Sequence, residues 1–457
     1  MPIGPAMQPE GPPHVGKRLE SAHALLVPFV LVFAVLGDRL QVGVAGGDQG
    51  GSIPVLILAA PIAAMMLVGR NGGGSLRFLK HPAFVLCVLP YLTLSAVLPS
   101  LGVLANGYAP RTLLSMTEAT TALSLLVVGS AITSVPLRTW APWLVIAISA
   151  QLAYAAGQAA YQAGLPGAAL FDPLFRWDLS LVGLETYVHS RSIGFYLNPN
   201  VLGLWAAFAA ALSLTMPSSR WRWIGVAMAM ATLVLSQSRG AGMALIVGLV
   251  VAVLTFGLGR SGREMMMAAA TLLIGIIIAV IAAVMIAPSA DQTDRLISLL
   301  LVVTEGPSAD PNLSGRIDFW AAVIDLNLTY PWGTWGPPER ILGTAVDSTW
   351  FSVFAQGSVP YLTAFAMVLG SALALRDRDG GDTLRILTVI VAVAGVTQTP
   401  ISYPVIVIFW VLLGAAVGSP QTRLAAPRVA AGNQGRSLPI SGQAHRRSHG
   451  DGLAAGE

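Results

Sequence analysis

The sequence predicts an all-α polytopic membrane protein with about twelve transmembrane helices, and three observations carry that expectation. The first is composition. Of 457 residues, 54% are hydrophobic and only 11% charged, and the mean hydropathy is +0.70. Soluble domains carry about 25% charged residues, so most of this chain avoids water. The second is the length of the apolar runs, which approach the 20 or so residues that a helix needs to cross a bilayer core of roughly 30 Å. The third is the sidedness of the positive charges.

The runs place spans at 22–37, 53–69, 83–103, 112–135, 141–164, 199–216, 223–237, 240–258, 265–287, 348–375, 383–399 and 402–418. The first follows Lys17 and Arg18 as a signal peptide would, but no small-residue cleavage site comes after it, so it is read as a helix. With the N-terminus in the cytoplasm, the inner loops hold Arg70, Arg77, Lys80, Arg138, Arg220, Arg222, Arg260, Arg263, Arg376, Arg378 and Arg385. With the termini, 18 of the 26 basic residues lie inside. Such an excess is the signature of cytoplasmic loops. A miscounted helix would invert the pattern downstream of it. The expected address is therefore the cell inner (cytoplasmic) membrane, multi-pass, with both termini cytoplasmic.

The domain map follows. Residues 1–21 form a Pro/Gly-rich cytoplasmic segment without order, 22–418 the transmembrane domain, and 419–457 a Gly/Ala/Arg/Ser-rich cytoplasmic tail without apolar periodicity. Two outer loops are long, 165–198 and 288–347. Within the second, Ile317, Trp320, Ala321, Ile324 and Leu328 recur at helical spacing. They predict an amphipathic helix from Ser314, its N-cap, to Thr329, lying on the membrane surface or against the bundle. Pro331 and Gly333 end it. Trp332 and Trp335 follow, either as interface anchors or as platforms for sugar rings.

Several chemistries are excluded by residue type. No Walker loop, Cys/His metal set or H-E-x-x-H occurs, so neither a metal nor a cofactor is expected. The net charge of +4 is small and dispersed, which argues against a nucleic-acid partner. Cys87 is the single cysteine and lies in an apolar run, so no intrachain disulfide can form.

What remains on the outer face is a set of arginines beside turn-forming residues. Arg191 precedes Asn198-Pro199-Asn200 at a helix start, where Asn198 can cap, Pro199 suits the first turn, and free N–H groups face an anion. Arg239, in Ser238-Arg239-Gly240, sits between two spans with almost no loop. Arg316 opens the surface helix, and Asp347 stands at the outer start of the tenth span. Any one arginine can be a snorkelling or structurally paired residue. Together they suit a multiply charged anion, and diphosphate matches the planar fork of guanidinium groups. His189 is a further titratable group on this face.

The order of these features resembles the O-antigen ligase and polymerase superfamily of bacterial envelope polysaccharide enzymes. The matching residues are Arg191, Gly194 and Asn198-Pro199-Asn200; Ser238-Arg239-Gly240; Gly315-Arg316 with Trp320; Pro331-Trp332-Gly333 and Gly336; and a polar residue opening a helix that continues to Gly357. The match covers roughly residues 185–375; the first five spans are similar in hydropathy alone.

The resemblance implies a GT-C-like, metal-independent glycosyltransferase. Such an enzyme moves a glycan from an undecaprenyl-diphosphate carrier to an acceptor hydroxyl on a glycan or lipid, outside the cytoplasmic membrane. Its partners are that carrier, the acceptor, membrane lipids and other polysaccharide-assembly proteins. Arg191, Arg239 and Arg316, with Asn198 and Asn200, would hold the diphosphate. Arg191, Arg316 and Asp347 would carry the chemistry, with His189 a second candidate base and Trp332 and Trp335 candidate sugar contacts.

Ligases of this superfamily usually have His-Asn where this chain has Asp347-Ser348. An acidic residue there favours a polymerase, with Asp347 either the base or simply a helix cap. Two other readings stand beside this one: a transporter or flippase for a lipid-linked or anionic solute, and a non-catalytic assembly protein of the envelope. Transporters often carry internal repeats and midplane polar residues on broken helices. Here the polar candidates gather at one face, and no repeat is visible.

Overall fold

The computed structural model describes residues 24–37, 41–44, 51–54, 77–108, 116–133, 135–165, 191–196, 198–216, 220–256, 304, 311–343, 346–375 and 383–419. Within these, the long elements are helices: α1 (Leu26–Leu36), α2 (Leu89–Asn106, continuing a π turn at Phe84–Val88), α3 (Met116–Ala131) and α4 (Ala141–Gln162). Next come α5 (Pro199–Thr215), α6 (Arg220–Ser236), α7 (Arg239–Phe256), α8 (Pro311–Thr329) and the short α9 (Glu339–Leu342). The last three are α10 (Thr349–Ala374), α11 (Thr383–Thr397) and α12 (Ile406–Gly418).

The one departure from helix and turn among these residues is an antiparallel pair, β1 (Gln41–Val44) and β2 (Gly51–Pro54), with Val42 opposite Ile53. The all-α expectation holds for the fold, and this ribbon is a local exception to it. Six residues, Ala45 to Gly50, three of them glycine, join two four-residue strands too short to register as a periodic signal. The expected span 53–69 begins inside β2, and the rest of it lies outside the described residues, as does the whole of 265–287. Each of the other expected spans coincides with one helix. By length and apolarity, Phe84–Asn106, Ala141–Gln162 and Thr349–Ala374 can cross a membrane; shorter apolar helices accompany them.

α5 is the helix around which the site is built. It packs against α4, α6, α7 and α11. Every residue from Val201 to Leu212 is buried, including five alanines. Between helices in lipid, where solvent does not drive association, small residues permit the close backbone approach that van der Waals packing needs. α3 and α12 use the same device. A Cβ on Gly414 would lie 2.4 Å from Leu126 O, and Gly414 and Gly418 stand one turn apart.

α10 is interrupted. Gly357 (φ −141°, ψ 19°) and Ser358 (φ +54°, ψ −152°) are not helical, and Pro360 lacks the N–H that Gln356 O would accept. Carbonyls freed in this way cannot be left bare in lipid. The segment after α8 supplies the donors: Thr334 N donates to Ala355 O (2.8 Å) and Trp335 N to Gln356 O (3.0 Å). Gly333 (φ +86°) makes the approach feasible, since a Cβ there would meet Gln356 O at 2.4 Å. Thr334 O accepts in turn from Tyr108 Oη (2.9 Å) and Asn106 Nδ2 (3.2 Å), which fastens the loop to the end of α2.

α8 begins at Pro311 rather than at Ser314, because proline suits a first helical turn. Of the two sides open to the expected stripe, most of it does not pack on the bundle, which leaves it free for a membrane surface. Val323, Leu326 and Asn327 are buried and Phe319 and Trp320 half-buried, whereas Ile317, Ile324 and Leu328 are exposed. Trp320 alone of the expected stripe belongs to the protein-facing flank. It stacks on Phe351 of α10, with ring centroids 5.1 Å apart and planes at 14°. Arg316, four residues before Trp320, lies on that same flank.

Candidate functional site

The site forms where the N-termini of α5, α7 and α10 meet the C-terminus of α11. Asn198 caps α5 as its sequence suggests, accepting from Asn200 N at 2.8 Å, with Pro199 in the first turn. Val201 N and Leu202 N both donate to Asn198 O. The expectation of unengaged N–H groups for an anion is therefore corrected: proline has none, and the next three are satisfied by Asn198 itself.

The anion-binding capacity rests on guanidinium groups instead. Arg191 is half-buried. Its Nε donates to Ser236 O (3.1 Å) and one terminal nitrogen to Asn200 Oδ1 (2.9 Å). Asn200 Oδ1 also accepts from Ser238 Oγ (3.3 Å), and Ser238 Oγ accepts from Gln398 Nε2 (3.3 Å). The backbone of Gln398 reaches the start of α10, where Thr349 N donates to Gln398 O at 2.9 Å. Hydrogen bonds, linked through the side chain and backbone of Gln398, thus connect Arg191 to Thr349, two residues from Asp347.

Local sequence explains why this chain closes. The α6–α7 turn is two residues long, Gln237 and Ser238, with Gln237 at φ +49°, so Ser236, Ser238 and Arg239 are held close along the chain. Gly240 has no side chain because a Cβ would come within 2.8 Å of both Gln398 Nε2 and Thr397 Oγ1. Arg239, half-buried, is the first residue of α7.

The loop that presents Arg191 is held from behind by α4. Gln158 Oε1 accepts from Ile193 N (3.0 Å) and Gly194 N (2.9 Å), Gln151 Oε1 from Phe195 N (3.0 Å), and Ser192 Oγ donates to Ala155 O (2.8 Å). Neither glutamine was singled out from sequence. The signal was present: two amides seven residues apart on one face of an apolar helix mark a polar seam.

Asp347 is 68% exposed and pairs with Arg316, 33% exposed, at 3.9 Å. The helix-cap reading of Asp347 is overturned, because the N-cap of α10 is Ser348, whose Oγ accepts from Phe351 N and donates to Gly395 O (2.9 Å). Trp332 is 70% exposed, and Trp335 is half-buried with its indole N–H donated to Trp332 O (3.0 Å). His189 lies outside the described residues. Among the described residues, no three of His, Cys, Asp and Glu gather as metal ligands would.

Two groups of predicted residues are thus assembled. Arg191, Asn198, Asn200 and Ser238-Arg239-Gly240 form one; Arg316 and Asp347 form the other; Gln398 stands between them. Together with the apolar helices they define an integral membrane protein that carries two polar clusters at helix termini. Residues 224–364 match the O-antigen ligase family model, which bears out the resemblance to the O-antigen ligase and polymerase superfamily. The matched stretch includes Arg239, Arg316, Trp332, Trp335 and Asp347. No curated protein matches the chain.

Proposed function

We propose that the chain is a GT-C-like, metal-independent membrane glycosyltransferase of about twelve transmembrane helices, with both termini in the cytoplasm. It transfers a glycan from an undecaprenyl-diphosphate carrier to an acceptor hydroxyl on the outer face of the inner membrane. The observation that carries the reading is the anchored guanidinium of Arg191, tied by hydrogen bonds through Asn200, Ser238 and Gln398 to the start of α10, near which Asp347 meets Arg316.

In the reaction, the acceptor oxygen attacks the anomeric carbon, and the bond from that carbon to the diphosphate oxygen breaks. The acceptor's proton passes to the Asp347 carboxylate, and the lipid diphosphate departs with its extra negative charge. Arginines fixed in advance stabilise that charge without reorganising at the moment it appears. The loose, exposed pairing with Arg316 leaves Asp347 reachable from the aqueous side. The acidic residue at this position favours a polymerase over a ligase.

Among the described residues, the break in α10 is the feature that favours a transporter, because such proteins bind ions with the bare carbonyls of broken helices. Here Ala355 O and Gln356 O are already engaged by Thr334 and Trp335. Purified protein supplied with lipid-linked repeat units distinguishes the readings. A ladder of products on a gel is expected; a single transfer indicates a ligase. No product, with lipid-linked glycan moved across proteoliposomes, overturns the proposal in favour of a flippase.

A further inference from the structure

Gln398 lies beyond the stretch matched by the family model and was not among the expected site residues. It is 3% exposed, in a region of the protein made of apolar helices. Its Nε2 donates to Ser238 Oγ, its backbone carbonyl accepts from Thr349 N, and its Oε1 has no hydrogen-bond partner among the described residues. Burying an amide with one end unsatisfied costs stability, so packing gives no reason for an amide here. Its position does give one. It is the residue through which the Arg191–Asn200–Ser238 chain reaches the α10 N-terminus, and Gly240 is bare so that it fits.

We infer that Gln398 is a positioning residue. It fixes the Arg191 guanidinium relative to the Asp347 end of α10, so that the diphosphate and the base are held at one spacing. The direction of the bonds supports this. The amide N–H of Gln398 occupies the acceptor side of Ser238 Oγ, which turns the Ser238 hydroxyl hydrogen toward Asn200 Oδ1. Asn200 Oδ1 is then set to receive Arg191 from the other side. An apolar side chain at 398 would fill the space and release the serine rotor. The inference rests on the diphosphate-binding reading above.

The test uses Gln398→Leu, similar in volume and without the orphan oxygen. Thermal unfolding of the full chain in detergent, binding of undecaprenyl diphosphate, and turnover with lipid-linked glycan are measured together. The expected result is a midpoint equal to or above that of the wild type, with turnover lowered at least about tenfold, as befits a misplaced rather than missing group. Ser238→Ala, which removes the other end of the same bond, gives the same loss. Combined with Arg191→Ala, Gln398→Leu adds nothing further, since both act through one guanidinium. Wild-type turnover in a folded Gln398→Leu or in Ser238→Ala overturns the inference, as does a double variant whose losses multiply. Wild-type protein that neither binds undecaprenyl diphosphate nor turns over fails the diphosphate reading itself, a different outcome from active wild type with indifferent variants.

Discussion

At the scale of single residues, the site separates groups that hold shape from groups that act. Ser348 and Asp347 are neighbours with different tasks. Ser348 caps α10 and bonds α11, so Ser348→Ala should cost about 0.5–2 kcal/mol of stability, read as a lower unfolding midpoint in detergent. Asp347→Asn should leave that midpoint and undecaprenyl diphosphate binding unchanged while abolishing turnover. Full activity in Asp347→Asn would remove it as the base and leave the arginine site standing. Arg191→Ala should lower turnover by at least about ten- to hundredfold, as the loss of a charged hydrogen bond worth about 1.5–3 kcal/mol implies. Arg191→Lys should recover only part, because an ammonium cannot donate to Ser236 O and Asn200 Oδ1 in the same fork while facing a phosphate.

At the scale of elements, what was legible in the sequence was what local chemistry determines. The Asn198-Pro199 start of α5 followed from capping preferences, and the helices followed from hydropathy. The buried flank of α8 did not follow. Its exposed stripe, Ile317, Ile324 and Leu328, is as apolar as the flank that packs on the protein, Phe319, Val323 and Leu326, so periodicity alone did not tell the bundle side from a membrane-surface side. Gln398 was likewise invisible as a site residue, because its partners lie far away in sequence, whereas the spacing of Gln151 and Gln158 marked a polar seam without naming the loop they hold. The α3–α12 pair offers a check on packing. Gly414→Ala would place a methyl group against Leu126 O, so it should destabilise the chain by about 1–3 kcal/mol in a thermal melt, the usual cost of overpacking. An unchanged midpoint would show that the two helices sit farther apart.

At the scale of the whole molecule, the charge asymmetry makes a forecast that the contacts between helices do not. On the proposed topology, residues 217–222 and 259–264 lie in the cytoplasm and 288–347 on the opposite side. In a Cys87→Ser background, a single new cysteine at position 310 should react with a membrane-impermeant reagent in intact cells, and one at 262 should not. The reverse labelling would overturn the topology, and with it the outward-facing site.

The loop that seals the α10 break also sets an order of events. Thr334 and Trp335 belong to a segment made before α10, yet the break whose carbonyls they satisfy takes shape only once α10 has formed. On the proposed topology the loop waits on the outer side for a helix not yet inserted, and neither is complete without the other. Once joined, they should open only as a unit. Hydrogen–deuterium exchange should therefore find the Thr334 and Trp335 amides among the slowest outside the helices, and Gly333→Val should release them together with the outer end of α10. Fast exchange at both in the wild type would mean that the break is served by water, and that the outer turns of this helix breathe independently of the loop beneath them.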